Sequence, residues 1–308
     1  MVEFILAKEK LGGLDYMEKN KLNGVLYLLL ASVSFGIMPI LAKLAYAHGA
    51  NSYSVLVLRF VFAAFMLLYY LLKNKISLKL TKKQFLIITF LGVVGYSGTS
   101  GFIFLAYNYI SVGLATMIMY TYPAIVTMVS FIIYKEKLYT RKVISLLISL
   151  AGIYILIGVG KISFNFMGIT FAFLSAIFYS MYVLGASHSE IKRVNSYVMT
   201  FYVSLAAGVT ILIFGVSTNN INFNIDYYGL ICILLLAFIS TVVALMAFIQ
   251  GVKIIGPSKA SIISTLEPII SLILGLLILK ESISIQVACG SIMVISSILI
   301  LTTDKTPN

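Results

Sequence analysis

Ser258–Glu281 reads SKASIISTLEPIISLILGLLILKE. The stretch is long enough to cross a bilayer as one helix. Near its middle stand two residues that a lipid-facing helix avoids. Glu267 is a carboxylate, and Pro268 donates no backbone hydrogen bond. The first half of the chain holds an echo, Gly113–Glu136, GLATMIMYTYPAIVTMVSFIIYKE. A shift of 145 residues lays Pro123 on Pro268, Ala115 on Ala260, Lys135 on Lys280 and Glu136 on Glu281. Tyr122 then falls on Glu267. The chain reads as two related halves that differ where chemistry is expected.

The rest of the composition agrees with a membrane setting. Hydrophobic residues make up 61% of the chain and charged residues 10%. A soluble domain is closer to half apolar and a quarter charged. The net charge of +12 comes from lysines clustered near short connections, so it reads as membrane topology and implies no nucleic-acid partner. Cys232 and Cys289 lie in apolar runs without metal-ligand spacing and read as small buried residues. No cleavable signal peptide is expected in Met1–Lys21, whose short apolar pieces are interrupted by Lys, Glu and Asp. Met17 opens MEKNKLNG just before the first apolar run and is a second candidate start.

Apolar runs of about 20 residues fall at 24–46, 53–72, 84–107, 112–134, 142–160, 168–187, 196–216, 228–251, 257–279 and 285–302. The expected fold is therefore an all-α membrane protein of ten transmembrane helices. Of the 22 lysines and arginines, all but Lys43, Arg59, Lys161 and Lys280 fall in or near the termini and even-numbered loops. The positive-inside rule then places both termini in the cytoplasm. The repeat extends beyond the opening pair. Asn51-Ser52-Tyr53 and Asn195-Ser196-Tyr197 open the second and seventh runs, and Gly24 and Gly168 open the first and sixth. Five spans per half is an odd number, so the two halves are expected in opposite orientations, an arrangement that puts a solute site near the midplane between them. The expected divisions are an N-terminal segment 1–21, repeats at 22–160 and 161–303, and a tail at 304–308.

The duplicated five-helix halves, Arg59 early in the second span, and the Glu267-Pro268 helix closing on Lys280-Glu281 resemble the EamA family of the drug/metabolite transporter superfamily. The resemblance covers about residues 22–303. It implies a secondary transporter of the cell membrane that moves a small metabolite by alternating access. Export is favoured over uptake, with amino acids or related compounds the leading class. Phe35-Gly36 stands where many relatives of that family have Trp-Gly, and this chain has no tryptophan.

Glu267 is the leading site residue. It lies about ten residues into its span, roughly 15 Å deep at about 1.5 Å per residue. A carboxylate at that depth needs a partner or water, or it takes up a proton; proton coupling and a structural hydrogen bond near Pro268 are the two readings. Arg59, about six residues in, either snorkels to the near interface or pairs with Glu267 or a substrate carboxylate. Pro123 and Pro268 should free the carbonyls of Met119 and Ser264, for hinges, for the cavity wall, or for capture by nearby hydroxyls. Gly92, Gly95, Gly98 and Gly101 recur at every third position and predict close helix packing. Tyr96, Tyr122, Tyr179 and Gln250 are candidate cavity residues, suited together to a small amphipathic or zwitterionic solute. Tyr107, Asn108 and Tyr109 read as interface anchors. The partners implied are thus a small-molecule solute, the lipid bilayer and protons. No metal or organic cofactor is implied, and the oligomeric state is left open.

Two further classes deserve comparison. Gly95-Tyr96-Ser97-Gly98 and Gly98-Thr99-Ser100-Gly101 match the short Gly-x-Ser-Gly pattern of rhomboid-like serine proteases. A nucleophile needs a base, and the only histidines are His48 and His188. A passive channel is the other alternative. Gly251–Ser258, GVKIIGPS, has phosphate-loop glycine spacing but lacks the Lys-Ser/Thr ending, so nucleotide hydrolysis by that route is not expected.

Overall fold

The computed structural model describes residues 21–107, 109–110, 112–157, 165–279 and 285–302, and no strand occurs among them. Lys161, Lys280-Glu281, Asn108, Met17 and the 304–308 tail lie outside the described residues. Helix α1 covers Lys21–Ala47 with a break at Ile37. Helix α2 is Ser52–Lys73. Helix α3 joins Lys82–Phe90, a π-helical stretch Leu91–Tyr96, and Ser97–Tyr107. Helix α4 joins Val112–Met119 to Tyr122–Ile133, and α5 is Thr140–Ile157. In the second half α6 is Phe166–Ala186 and α7 is Ser196–Ser217. Helix α8 runs Tyr227–Ile255 through a π-helical stretch Phe238–Val243. Helix α9 joins Pro257–Ile263, a 3-10 turn Ser264–Leu266, and Glu267–Leu279; α10 is Ile285–Thr302.

Among the described residues seven helices are long and apolar enough to cross a membrane: α1, α2, α3, α6, α7, α8 and α9. The remaining expected spans fall short of that length or hydropathy within the described residues. In α4 the cause is visible, because the chain turns at Tyr120-Thr121 just before Pro123.

The repeat read from the sequence is largely a repeat of helix starts. Asn51 accepts from the Ser54 N–H and Asn195 from the Tyr197 N–H, each capping its helix. Thr81 with Gln84 forms a capping box for α3, and Asp226 caps α8 through the Gly229 N–H. The interiors between these polar caps are apolar and β-branched, a composition that suits a lipid surface more than water.

The main packing pairs join the two halves. Helix α5 lies along α10, α2 along α7, α3 along α6, and α1 along α8. Small residues permit three close approaches. A side chain at Gly92 would stand 2.7 Å from Ala206, at Gly95 3.1 Å from Tyr182, and at Gly98 3.0 Å from the Phe178 ring. This is the packing expected of the glycine row, except that Gly101 faces open space. The core centres on Phe60, Tyr122, Tyr182 and Phe248, all buried.

Polar contacts bind the halves at both ends of the bundle. At one end His48 Nδ1 lies 2.7 Å from Asp226 Oδ2, and Asn51 donates to the Asn220 carbonyl at 2.7 Å. At the lysine-rich end Lys83 meets Glu190 at 3.0 Å, and Tyr202 donates to the Leu78 carbonyl at 3.2 Å. Lys142, grouped by sequence with the loop cations, is instead buried in the first turn of α5, with Nζ 2.7 Å from Glu136 Oε2. Ser258 Oγ, from the other half, donates to the same carboxylate at 2.6 Å.

Candidate solute-binding site

A cavity of about 90 Å³ lies where α1, α3, α4, α6 and α9 meet, and Glu267 is in its wall. Local backbone chemistry presents that carboxylate. Pro268 cannot donate, so the helix tightens to a 3-10 turn, and the Glu267 N–H bonds the Ser264 carbonyl. Thr265 Oγ1 donates to the Ile262 carbonyl at 2.6 Å, and Thr121 Oγ1 in the matching break of α4 donates to Ile118 at 2.7 Å. Nearby hydroxyls therefore take up carbonyls at both breaks, although at Ile118 and Ile262 rather than at the expected Met119 and Ser264. Both prolines thus shape the helices whose ends meet at the cavity.

Glu267 is half-buried. The Tyr120 hydroxyl is within hydrogen-bonding reach of it. Facing it are Phe35, Tyr96, Tyr122 and Tyr179, with Thr99 and Ser100 supplying hydroxyls. The Tyr122 ring packs edge-on against Tyr179 at 4.6 Å, and its hydroxyl donates to the Ser261 carbonyl at 3.3 Å. Tyr179 also stacks on Phe248 at 6.3 Å. Gly36 makes the arrangement possible. An added side chain there would stand 2.6 Å from Ile270, so only glycine lets α1 press against α9 and bring Phe35 to the cavity.

Arg59 does not snorkel. It is 4% exposed and turned into the bundle. Nη1 donates to Met38 Sδ at 2.8 Å, Nη2 donates to the Tyr96 hydroxyl at 3.3 Å, and the guanidinium lies 4.4 Å from the Phe60 ring centre. No carboxylate among the described residues is within ion-pairing distance of it, so the pair with Glu267, one of the alternatives read from sequence, is not formed. Tyr96 stands between the two: it bonds Arg59 and lines the cavity that holds Glu267. Of the residues chosen from sequence, Glu267, Tyr96, Tyr122 and Tyr179 share the cavity. Gln250 does not line it; its Oε1 accepts from Ser196 Oγ at 2.7 Å near Lys253. The side chains of Met38 and Phe248, and that of Met119, whose carbonyl alone the sequence points to, carry no local signal that distinguishes them from other apolar residues.

The serine-protease geometry is not assembled. Ser97 Oγ donates to the Gly92 carbonyl, His48 is bonded to Asp226, and His188 caps the short helix Ser189–Lys192.

A family model described as the EamA-like transporter family matches the chain twice, over residues 22–158 and 166–303. The chain belongs to the EamA-like transporter family. An "uncharacterized transporter" of Clostridium kluyveri is 24% identical over 92% of this chain and 95% of its own length. The uncharacterized transporter YcbK of Bacillus subtilis strain 168 is 24% identical over 87% of this chain and 90% of its own. A solved crystal structure superposes with a TM-score of 0.79 at 17% identity, covering 92% of this chain and 97% of the other, and shows the same fold. Membership in the EamA-like family, with these relatives, makes the protein a multi-pass membrane transporter and not an enzyme.

Proposed function

We propose that this EamA-like protein is a secondary transporter that exports a small metabolite, an amino acid or related compound, by alternating access, with protons coupled through Glu267. The observation that carries the reading is one intramembrane carboxylate facing a tyrosine-walled cavity, built from helices of both halves. Intramembrane acids that line a cavity belong to ion and substrate pathways.

The proposed topology is ten spans in two inverted repeats, in the cell membrane, with both termini and the lysine-rich end in the cytoplasm. What supports inversion is a pattern in the contacts. Shifting the His48–Asp226 tie by 144 residues gives positions 192 and 82, beside the Lys83–Glu190 tie at the opposite end. The π-helical stretches of α3 and α8 overlap in part under the same shift, which carries 91–96 to 235–240 against Phe238–Val243. What supports alternating access is an unmatched contact. Pro257–Ile263 packs on Tyr122–Ile133 at the lysine-rich end, closed by Ser258, Glu136 and Lys142. A shift of 145 places Ser258 on Gly113 and Lys142 on Val287, neither of which can make such a bond.

Release of amino acids and related amines from cells expressing the protein tests the reading. Wild type is expected to release a solute saturably and in step with the pH gradient, and Glu267→Gln to lose both. Equal release with unchanged pH dependence in Glu267→Gln would overturn the coupling.

A further inference from the structure

The site bears on the charge of its solute, an inference that rests on the transporter reading above. Five aromatic rings, Phe35, Tyr96, Tyr120, Tyr122 and Tyr179, stand around the single carboxylate of Glu267. They come from α1, α3, α4 and α6, and neighbouring rings keep close spacing: Tyr120 to Tyr122 is 6.1 Å and Tyr122 to Tyr179 is 4.6 Å. Among the described residues no lysine, arginine or histidine lines this cavity. The nearby cation, Arg59, is not among the lining residues: Nη1 and Nη2 bond Met38 and Tyr96, the guanidinium lies against the Phe60 ring, and Nε has no partner among the described residues. A carboxylate on the solute therefore meets no cation there, whereas a positive charge meets an acid and several ring faces.

We infer that the Glu267 cavity is a cation box that takes the methylated ammonium head of an amine solute. Aromatic faces carry negative quadrupole density and attract a desolvated cation. The nearby acid supplies net charge, and among ring walls its attraction is screened less than in bulk water. Methyl groups suit the walls, because five of the nine lining residues carry aromatic rings, and methyl groups pack against ring faces without needing acceptors. The size agrees: about 90 Å³ holds roughly six water-sized spheres, enough for a trimethylammonium head. Ser100 also lines a second cleft, of about 570 Å³, between α2, α3 and α7, where the rest of the solute would lie.

The experiment uses the full chain in detergent and three probes of nearly one shape: choline, its neutral carbon isostere 3,3-dimethylbutan-1-ol, and the anion 3,3-dimethylbutanoate. Thermal unfolding at rising probe concentration reports binding to the folded state. Choline is expected to stabilise saturably, the alcohol to bind at least about tenfold more weakly, and the anion not to bind. Tyr179→Leu should weaken choline about tenfold while Tyr179→Phe holds it within about threefold, a pair that separates the ring face from folding. Glu267→Gln should abolish the difference between choline and the alcohol. Equal binding of alcohol and choline, preferred binding of the anion, or no saturable choline shift at millimolar concentration each overturns the inference. Failure of the transporter reading looks different: choline binds as described, but no solute crosses the membrane in proteoliposomes.

Discussion

At the scale of single residues, the cavity separates groups that matter through charge from groups that matter through packing. Glu267→Gln keeps the shape and removes the charge, so solute transport should fall at least about tenfold while the unfolding midpoint stays close to wild type. Tyr182 gives the opposite expectation. Its ring is fully buried against Tyr96, and its hydroxyl has no partner among the described residues. Tyr182→Phe removes an unsatisfied polar atom and should leave stability unchanged or raise it by about 1 kcal/mol, measured by thermal unfolding. A loss of transport with stability retained would show instead that the hydroxyl meets the solute. Arg59→Met should destabilise by about 1–3 kcal/mol, because it strands the buried Tyr96 hydroxyl. Glu267 was legible in the sequence because an acid inside an apolar run is costly wherever the run folds. The partners of Arg59 were not, because Met38 and Tyr96 come from other helices whose rotation no local pattern specifies.

At the scale of helices, the glycines and the proline breaks make distinct predictions. Gly36→Ala drives a methyl group to 2.6 Å from Ile270, at a branched carbon that cannot swing away. It should cost roughly 1–3 kcal/mol and move Phe35 off the cavity. Gly101→Ala meets nothing within 4 Å and should stay within about 0.5 kcal/mol of wild type. Comparing both unfolding midpoints checks the assigned packing of α1 on α9. Ser258→Ala should loosen the contact between α9 and α4 by about 1 kcal/mol. Glu136→Gln should cost more, about 3 kcal/mol, because Lys142 is then buried without its counter-ion. The helix starts were legible: the Asn-Ser-Tyr repeats proved to be caps, and a cap is local chemistry. The π-helical stretches of α3 and α8 were not, since their apolar sequences fit an ordinary helix equally well. The Lys142 side chain was also missed, because sequence places it next to a loop and only the fold supplies Glu136 and Ser258.

At the scale of the whole molecule, two sets of contacts hold the halves together, and they respond differently to conditions. The loop tie at His48 is acid-sensitive. The Asp226 carboxyl is held below the usual carboxylate range, first by the Gly229 N–H and then by His48. A depressed folded value means that its contribution to stability is present above the ordinary value of about 3.9 and is lost as pH falls through the lower folded value. Asp226→Asn should remove that acid-dependent part of the unfolding midpoint and leave the midpoint at neutral pH little changed, since both side chains are largely exposed. At the positions that the repeat matches to Ser258 and Lys142 stand Gly113 and Val287, whose side chains can make no such bonds, so the Ser258, Glu136 and Lys142 contact is the one expected to open during transport. Ser100, which lines both cavities, reports on that opening. With Cys232 and Cys289 replaced by serine, Ser100→Cys can be labelled by a charged, membrane-impermeant thiol reagent from either face of the membrane. Adding Glu136→Gln should raise labelling from the lysine-rich face and lower it from the opposite face together, as alternating access requires. A rise on one face with no fall on the other would mean a continuous pore and would contradict a transporter that opens one side at a time.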